Sequence, residues 1–172
     1  MSEQQATKGI EWLSKLLTLQ GISADVTSHF VEDASGDSSC WLTIDHTALS
    51  EAQLETLLGD KGAVLDSIQY LANTVLNLGQ QPDLQQAYTV ELNGYRKRRQ
   101  EELQTMADNA IEQAKATGEE FELGGLSSAE RRQVHTLLKP YEDLETFSRG
   151  KEPDRRLVVR LIGGASSEVE ES

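Results

Sequence analysis

Residues 58–78, LGDKGAVLDSIQYLANTVLNL, restrict the fold more than any other stretch of the chain. A helical segment over 51–58 runs into Gly59-Asp60-Lys61-Gly62, and a longer helix starts at once. That helix carries Val64, Leu65, Ile68, Leu71, Ala72, Val75 and Leu76 at three- and four-residue spacings, which predicts one wide buried face. Any fold of this chain must therefore turn two helices about a four-residue G-x-x-G corner. Glycine at each end permits backbone conformations closed to other residues and lets a ligand approach the N–H groups closely. The N-terminus of the second helix adds a dipole end that favours phosphate. The bare pattern is not specific, because many helices simply end at glycine.

The other elements are set by periodicity and punctuation. Residues 6–20 place Ile10, Leu13, Leu16, Leu17 and Leu19 mostly on one helical face, stopped by Gly21. Residues 23–32 alternate loosely through Ala24, Val26 and Phe30, DASGDSS at 33–39 is a turn, and residues 40–44 complete a hairpin. Ser50 with Gln53 fits a capping box. Gly79 and Pro82 end the long helix, and AYTVEL at 87–92 is a third strand, giving the order α-β-β-α-α-β. Asn93-Gly94 is too short for a flexible linker, so rigid or semi-rigid coupling between the two halves of the chain is expected. A long helix over 95–117 opens with Arg96-Lys97-Arg98-Arg99 and carries the stripe Leu103, Met106, Ala107, Ala110, Ile111, Ala114. A short strand at 121–123, a helix capped by Ser127 and Glu130, and strands at 144–148 and 155–162 complete this half. The expected class is α+β with two small domains, 7–92 and 93–162. The polar, acidic residues 163–172 are expected to be disordered.

Charge is divided unevenly. The formal net charge is −13, but residues 1–92 hold three basic and thirteen acidic residues, net −10, whereas residues 93–172 are close to balance at net −3. Indiscriminate binding to polyanions is disfavoured by this total. Cys40 is the single cysteine and sits in the apolar CWLTI, so a buried thiol is expected and a disulfide or cysteine metal cluster is not. The start, MSEQQATKGIEW, lacks the pattern of a secretory signal, and no apolar run reaches the ~20 residues that span a bilayer. A reducing cytoplasm is the expected setting. His29, His46 and His135 are scattered, and no H-E-x-x-H, G-x-S-x-G or P-loop pattern occurs. No catalysis, cofactor or metal is expected.

A second cluster lies in ERRQVH, where Arg131 and His135 are four apart and share a helix face. Arg155, Arg156 and Arg160 lie in or beside the last strand. Arginine forks with a histidine donor suit phosphate oxygens; a solvated helix face with His135 bound to a carboxylate is the alternative from spacing alone. The run at 96–99 is equally open, either a phosphate-facing stripe or partners for Glu101, Glu102 and the acidic first half.

GDKGAVLDSIQYLANTVLNL, within the α-β-β-α-α-β order, resembles the G-x-x-G loop and long helix of type II KH domains. The resemblance implies RNA binding at Gly59, Asp60, Lys61 and Gly62, where such modules clamp about four nucleotides. The segment from NGYRKRRQEELQ through LSSAERRQVHTLL to EPDRRLVVRL resembles the R-three-H domain, named for an Arg and a His separated by three residues, here Arg131 and His135. It implies contact with single-stranded nucleic acid at Arg131 and His135, with Arg132, Arg155, Arg156 and Arg160 as further phosphate contacts. The two in this order resemble the Jag (KhpB, SpoIIIJ-associated) family of bacterial RNA-binding proteins. That implies a non-enzymatic single-stranded RNA-binding protein acting post-transcriptionally. The alternative is a scaffold pairing with a small single-KH protein in cell elongation or division. This chain departs from the family in three ways. Asp60 stands where a basic residue is common, and the first half is strongly acidic, so the second half is expected to supply most of the electrostatic affinity. Many relatives have an additional N-terminal Jag domain and a linker, whereas this sequence starts almost at the expected KH helix, so roles in elongation or division are not carried over.

Overall fold

The computed structural model describes residues 3–32, 36 and 38–163. The chain divides into two compact units, the first ending at Arg96 and the second beginning at Lys97. The first contains α1 (Glu3–Leu19), β1 (Val26–Glu32), β2 (Ser38–Ile44), α2 (Glu51–Leu58), α3 (Ala63–Leu76) and β3 (Ala87–Leu92). The α-β-β-α-α-β order is the expected one. Most of the expected 33–39 turn, and the tail beyond Gly163, lie outside the described residues.

In the first unit the sheet order is β1-β2-β3, with β1 and β2 antiparallel and β2 and β3 parallel. A parallel pair needs a crossover connection, and α2 with α3 provides it. The core is built from Leu13, Leu17, Cys40, Leu42, Ile44, Leu65, Ala72, Val90 and Leu92. Cys40 is buried and free, as expected, and burial pushes its thiol pKa up.

The long helix α3 corrects one expectation. Its apolar residues do not form a single buried face. Leu65, Ile68 and Ala72 are buried, whereas Val64, Leu71 and Val75 are 40%, 45% and 47% exposed, with Leu78 just beyond the helix 80% exposed. Besides the core shared by Leu65, Ile68 and Ala72 with Val90 and Leu92, the helix is tied to β3 by polar groups. The Val90 N–H donates to Gln69 Oε1 at 3.0 Å, Tyr88 N–H to Asn73 Oδ1 at 2.9 Å and Gln86 N–H to Asn77 Oδ1 at 2.8 Å. In return Asn73 and Asn77 donate to the carbonyls of Tyr88 and Gln86. Four helical residues rise about 6 Å and two strand residues about 6.6 Å, so the two repeats stay in step over three rungs. β3 is an edge strand, and this ladder satisfies the row of backbone groups an edge would leave open.

The second unit holds most of α4 (Tyr95–Thr117), then β4 (Phe121–Leu123), α5 (Ser128–Leu138), β5 (Leu144–Arg149) and β6 (Arg156–Leu161). Its sheet is antiparallel in the order β4-β6-β5. Leu103, Ala107, Ala110 and Ala114 of α4, with Val134 and Leu138 of α5, pack on Leu123, Leu144, Leu157 and Val159. Strand alternation then sends Arg156, Val158 and Arg160 to the opposite sheet face. Both predicted capping boxes are present, Ser50 with Gln53 on α2 and Ser127 with Glu130 on α5. No helix among the described residues is long and apolar enough to cross a membrane.

Candidate nucleic-acid interface

At the corner, Gly59 (φ +68°), Lys61 (φ +49°) and Gly62 (φ +77°) all adopt positive φ. The glycines are needed for the chain's own packing. A Cβ on Gly59 would lie 2.9 Å from the Val64 nitrogen, and one on Gly62 would enter the Tyr95 ring. Gly62 is buried, and the Gly59, Gly62 and Ala63 N–H groups donate to Glu55, Gly59 and Asp60 carbonyls. This corrects the expectation that both glycines open backbone amides to a ligand. Asp60 and Lys61 are the exposed residues of the four, and Lys61 occupies a conformation that costs a non-glycine residue of order 1 kcal/mol or more. Beyond the corner, Gln69, Asn73 and Asn77 of α3 bond the backbone of β3 directly.

The basic run divides by role. Arg96 pairs with Asp66, and its guanidinium also reaches Gln69 Oε1 and the Val90 carbonyl. Its N–H faces both carboxylate oxygens of the buried Glu91 at 3.3 Å, which caps the start of α4. Arg99 pairs with Glu130 and Glu102, each at 2.7 Å. For these two arginines the reading as partners of acidic groups holds. Burial would raise the Glu130 carboxyl, but the hydrogen bonds from Arg99 and Ser127 outweigh it and hold the carboxyl below its ordinary value.

Arg131 and His135 share a face of α5 but differ in access. Arg131 is 5% exposed. Its guanidinium donates to the Leu126 carbonyl at 2.7 Å, to the Arg155 carbonyl at 3.4 Å and to the Glu152 carboxylate. It braces the turn before β6 against the start of α5, and its expected place as a phosphate contact is corrected to an internal one. His135 is exposed, with Nδ1 hydrogen-bonded to Thr146 Oγ1, which leaves Nε2 as the outward nitrogen. Arg132 and Arg155 are exposed, and among the described residues neither guanidinium has an ionic partner. Arg131, Arg132, His135 and Arg155 line one cleft of about 380 Å³ together with Ser128 and Ser148. Exposed arginines with hydroxyls beside them suit phosphate oxygens.

Arg156 and Arg160 are not part of that cleft. On the other sheet face Arg160 meets Glu145 and Glu120, Arg156 meets Glu122 at 3.4 Å, and Arg149 meets Glu120 at 2.8 Å and Glu122 at 3.1 Å. Arg149 and Arg160 also lie over the Phe147 ring at 5.3 and 5.1 Å. Hydrogen bonding from Arg149, with help from Arg160, holds the Glu120 carboxyl below its usual range. Three arginines against three glutamates leave this face near neutral. Thr146, Ser128 and Ser148 were not legible as site residues in the sequence. A serine or threonine on a strand or helix end carries no signal of what it faces until the register is known.

A family model described as the R-three-H domain matches residues 101–161. The chain is 28% identical over 154 residues to the RNA-binding protein KhpB of Clostridium symbiosum, covering 90% of this chain and 65% of that protein. It is 26% identical over 151 residues to the KhpB of Lactiplantibacillus plantarum, covering 88% and 43%. With the KhpB of Bacillus subtilis the identity is 30% over 105 residues, covering 60% and 50%. The chain thus spans between 43% and 65% of the length of these relatives.

Proposed function

We propose that this chain, which belongs to the KhpB (Jag) family and carries an R-three-H domain, is a non-enzymatic single-stranded RNA-binding protein acting in post-transcriptional regulation. In this reading residues 7–92 are a type II KH domain and residues 93–162 the R-three-H domain. The observation that carries it is the cleft on α5, where Arg132, His135 and Arg155 are exposed while Arg149, Arg156 and Arg160 are ion-paired on the other sheet face. Arg132 and Arg155 hold phosphate oxygens, His135 Nε2 adds a donor, and Arg131 fixes the backbone from which Arg155 projects. At the corner Lys61 meets the sugar-phosphate backbone and Asp60 limits the attraction there.

The test is a salt titration of the full chain with a labelled single-stranded RNA. Neutralising one phosphate contact flattens the log–log salt slope by about 0.7. Arg132→Gln and Arg155→Gln should each do so, and Arg156→Gln should leave the slope unchanged. An unaltered slope in the Arg132→Gln/Arg155→Gln double variant refutes the reading.

A second reading is favoured by the exposed stripe Val64, Leu71, Val75 and Leu78 on the acidic first unit. In it this unit docks a small single-KH protein. Light scattering without RNA decides: a stable complex supports docking, and elution as separate species removes it.

A further inference from the structure

Arg132 belongs to two clefts. One is the phosphate cleft with His135. The other is a groove of about 370 Å³ between α4 and α5, floored by the buried Leu103 and half-buried Leu137 and flanked by Ala129, Gln100 and Gln133. The two lie on neighbouring faces of one helix, a separation within the helix width of ~10 Å. Their chemistry differs in the way the two ends of a nucleotide differ. The first offers cations and hydroxyls. The second is mostly apolar, with two neutral amides at its rim, each carrying both a donor and an acceptor.

We propose that the α4–α5 groove takes a nucleobase of the same strand whose phosphate lies in the His135 cleft. This rests on the nucleic-acid reading above and adds a base subsite to it. Leu103 and Leu137 meet the apolar face of the base, and Gln100 and Gln133 meet its hydrogen-bonding edge. The planar Arg132 guanidinium lies between base and phosphate, and a guanidinium suits both, stacking on a π-face and forking onto phosphate oxygens. Continuity through Arg132 singles out a base as the occupant over an apolar side chain of a protein, which would have no use for the phosphate cleft next door.

The experiment compares the full chain's affinity for oligoadenylate with that for an abasic ribose-phosphate oligomer of equal length. The wild type should prefer the base-bearing strand by about tenfold. Ala129→Phe, which fills the groove from an exposed position, should remove that preference while leaving the abasic affinity unchanged. Equal wild-type affinity for the two oligomers overturns the base subsite, as does a preference that survives Ala129→Phe or an equal loss on both strands. In each of these cases phosphate binding still stands. A wild type that binds neither oligomer overturns the underlying reading as well. Gln133→Leu gives an independent measurement that does not depend on filling the groove. Emission from 2-aminopurine in the strand should change on binding to the wild type and change less with Gln133→Leu; an identical response overturns the assignment.

Discussion

Arg131 and Arg132 are neighbours in sequence with opposite roles. The first is buried and makes three internal contacts, and the second is exposed without an ionic partner among the described residues. Removing a buried donor leaves its acceptors desolvated and unbonded, at a cost of about 1–3 kcal/mol. Arg131→Gln should therefore lower the unfolding free energy by that amount in urea denaturation, while Arg132→Gln stays within about 0.5 kcal/mol of the wild type, as surface changes do. Equal stability of the two variants would remove the bracing role. The pair also marks a limit of spacing arguments. A four-residue interval places Arg131 and His135 on one face of α5, but access depends on the turn at Glu152 and the carbonyl of Arg155, which arrive from far along the chain.

At the level of elements, the ladder of Gln69, Asn73 and Asn77 joins α3 to β3 beside the apolar core that the two elements share. Asn73→Leu keeps the side-chain size but strands the N–H and carbonyl of Tyr88, each now bonded to the Asn73 amide. It should cost about 1–3 kcal/mol. Hydrogen exchange at the Tyr88 amide should accelerate while Val90, still held by Gln69, keeps its protection. Much of this architecture was legible in the sequence, because helix ends and strands are written locally. Both capping boxes and the bounds of α2, β3 and α4 could be placed from composition and periodicity. The partition of α3's apolar residues could not. Seven hydrophobic positions at helical spacing look alike, and only the tertiary placement of β3 and α1 decides that Leu65 is enclosed while Leu71 is not. The division of the arginines between two sheet faces was hidden for a similar reason. It depends on the register that sets Arg160 opposite Glu145 and Arg156 opposite Arg149.

For the whole molecule, acid should act through the ion-paired carboxyls of the second unit. Glu120, Glu130 and Asp143 there are all held below ordinary carboxyl values by basic partners. A carboxyl depressed in the folded state adds stability that is complete above the unfolded value, near ~4.3 for glutamate, and is lost as pH falls through the lower folded value. Melting temperature should thus fall on acidification below about pH 4, and Glu130→Gln should make that decline shallower while lowering stability at neutral pH. An acid limb of unchanged steepness in the variant would show that the Arg99 pair does not contribute. The sealed flank of β3 has a consequence beyond the monomer. With one side of the first unit's three-stranded sheet occupied by amides of the same chain, only β1 of that sheet can recruit a foreign strand. Two copies joined there would exhaust each other's capacity for extension, so association through this sheet would halt at a pair rather than propagate into fibres.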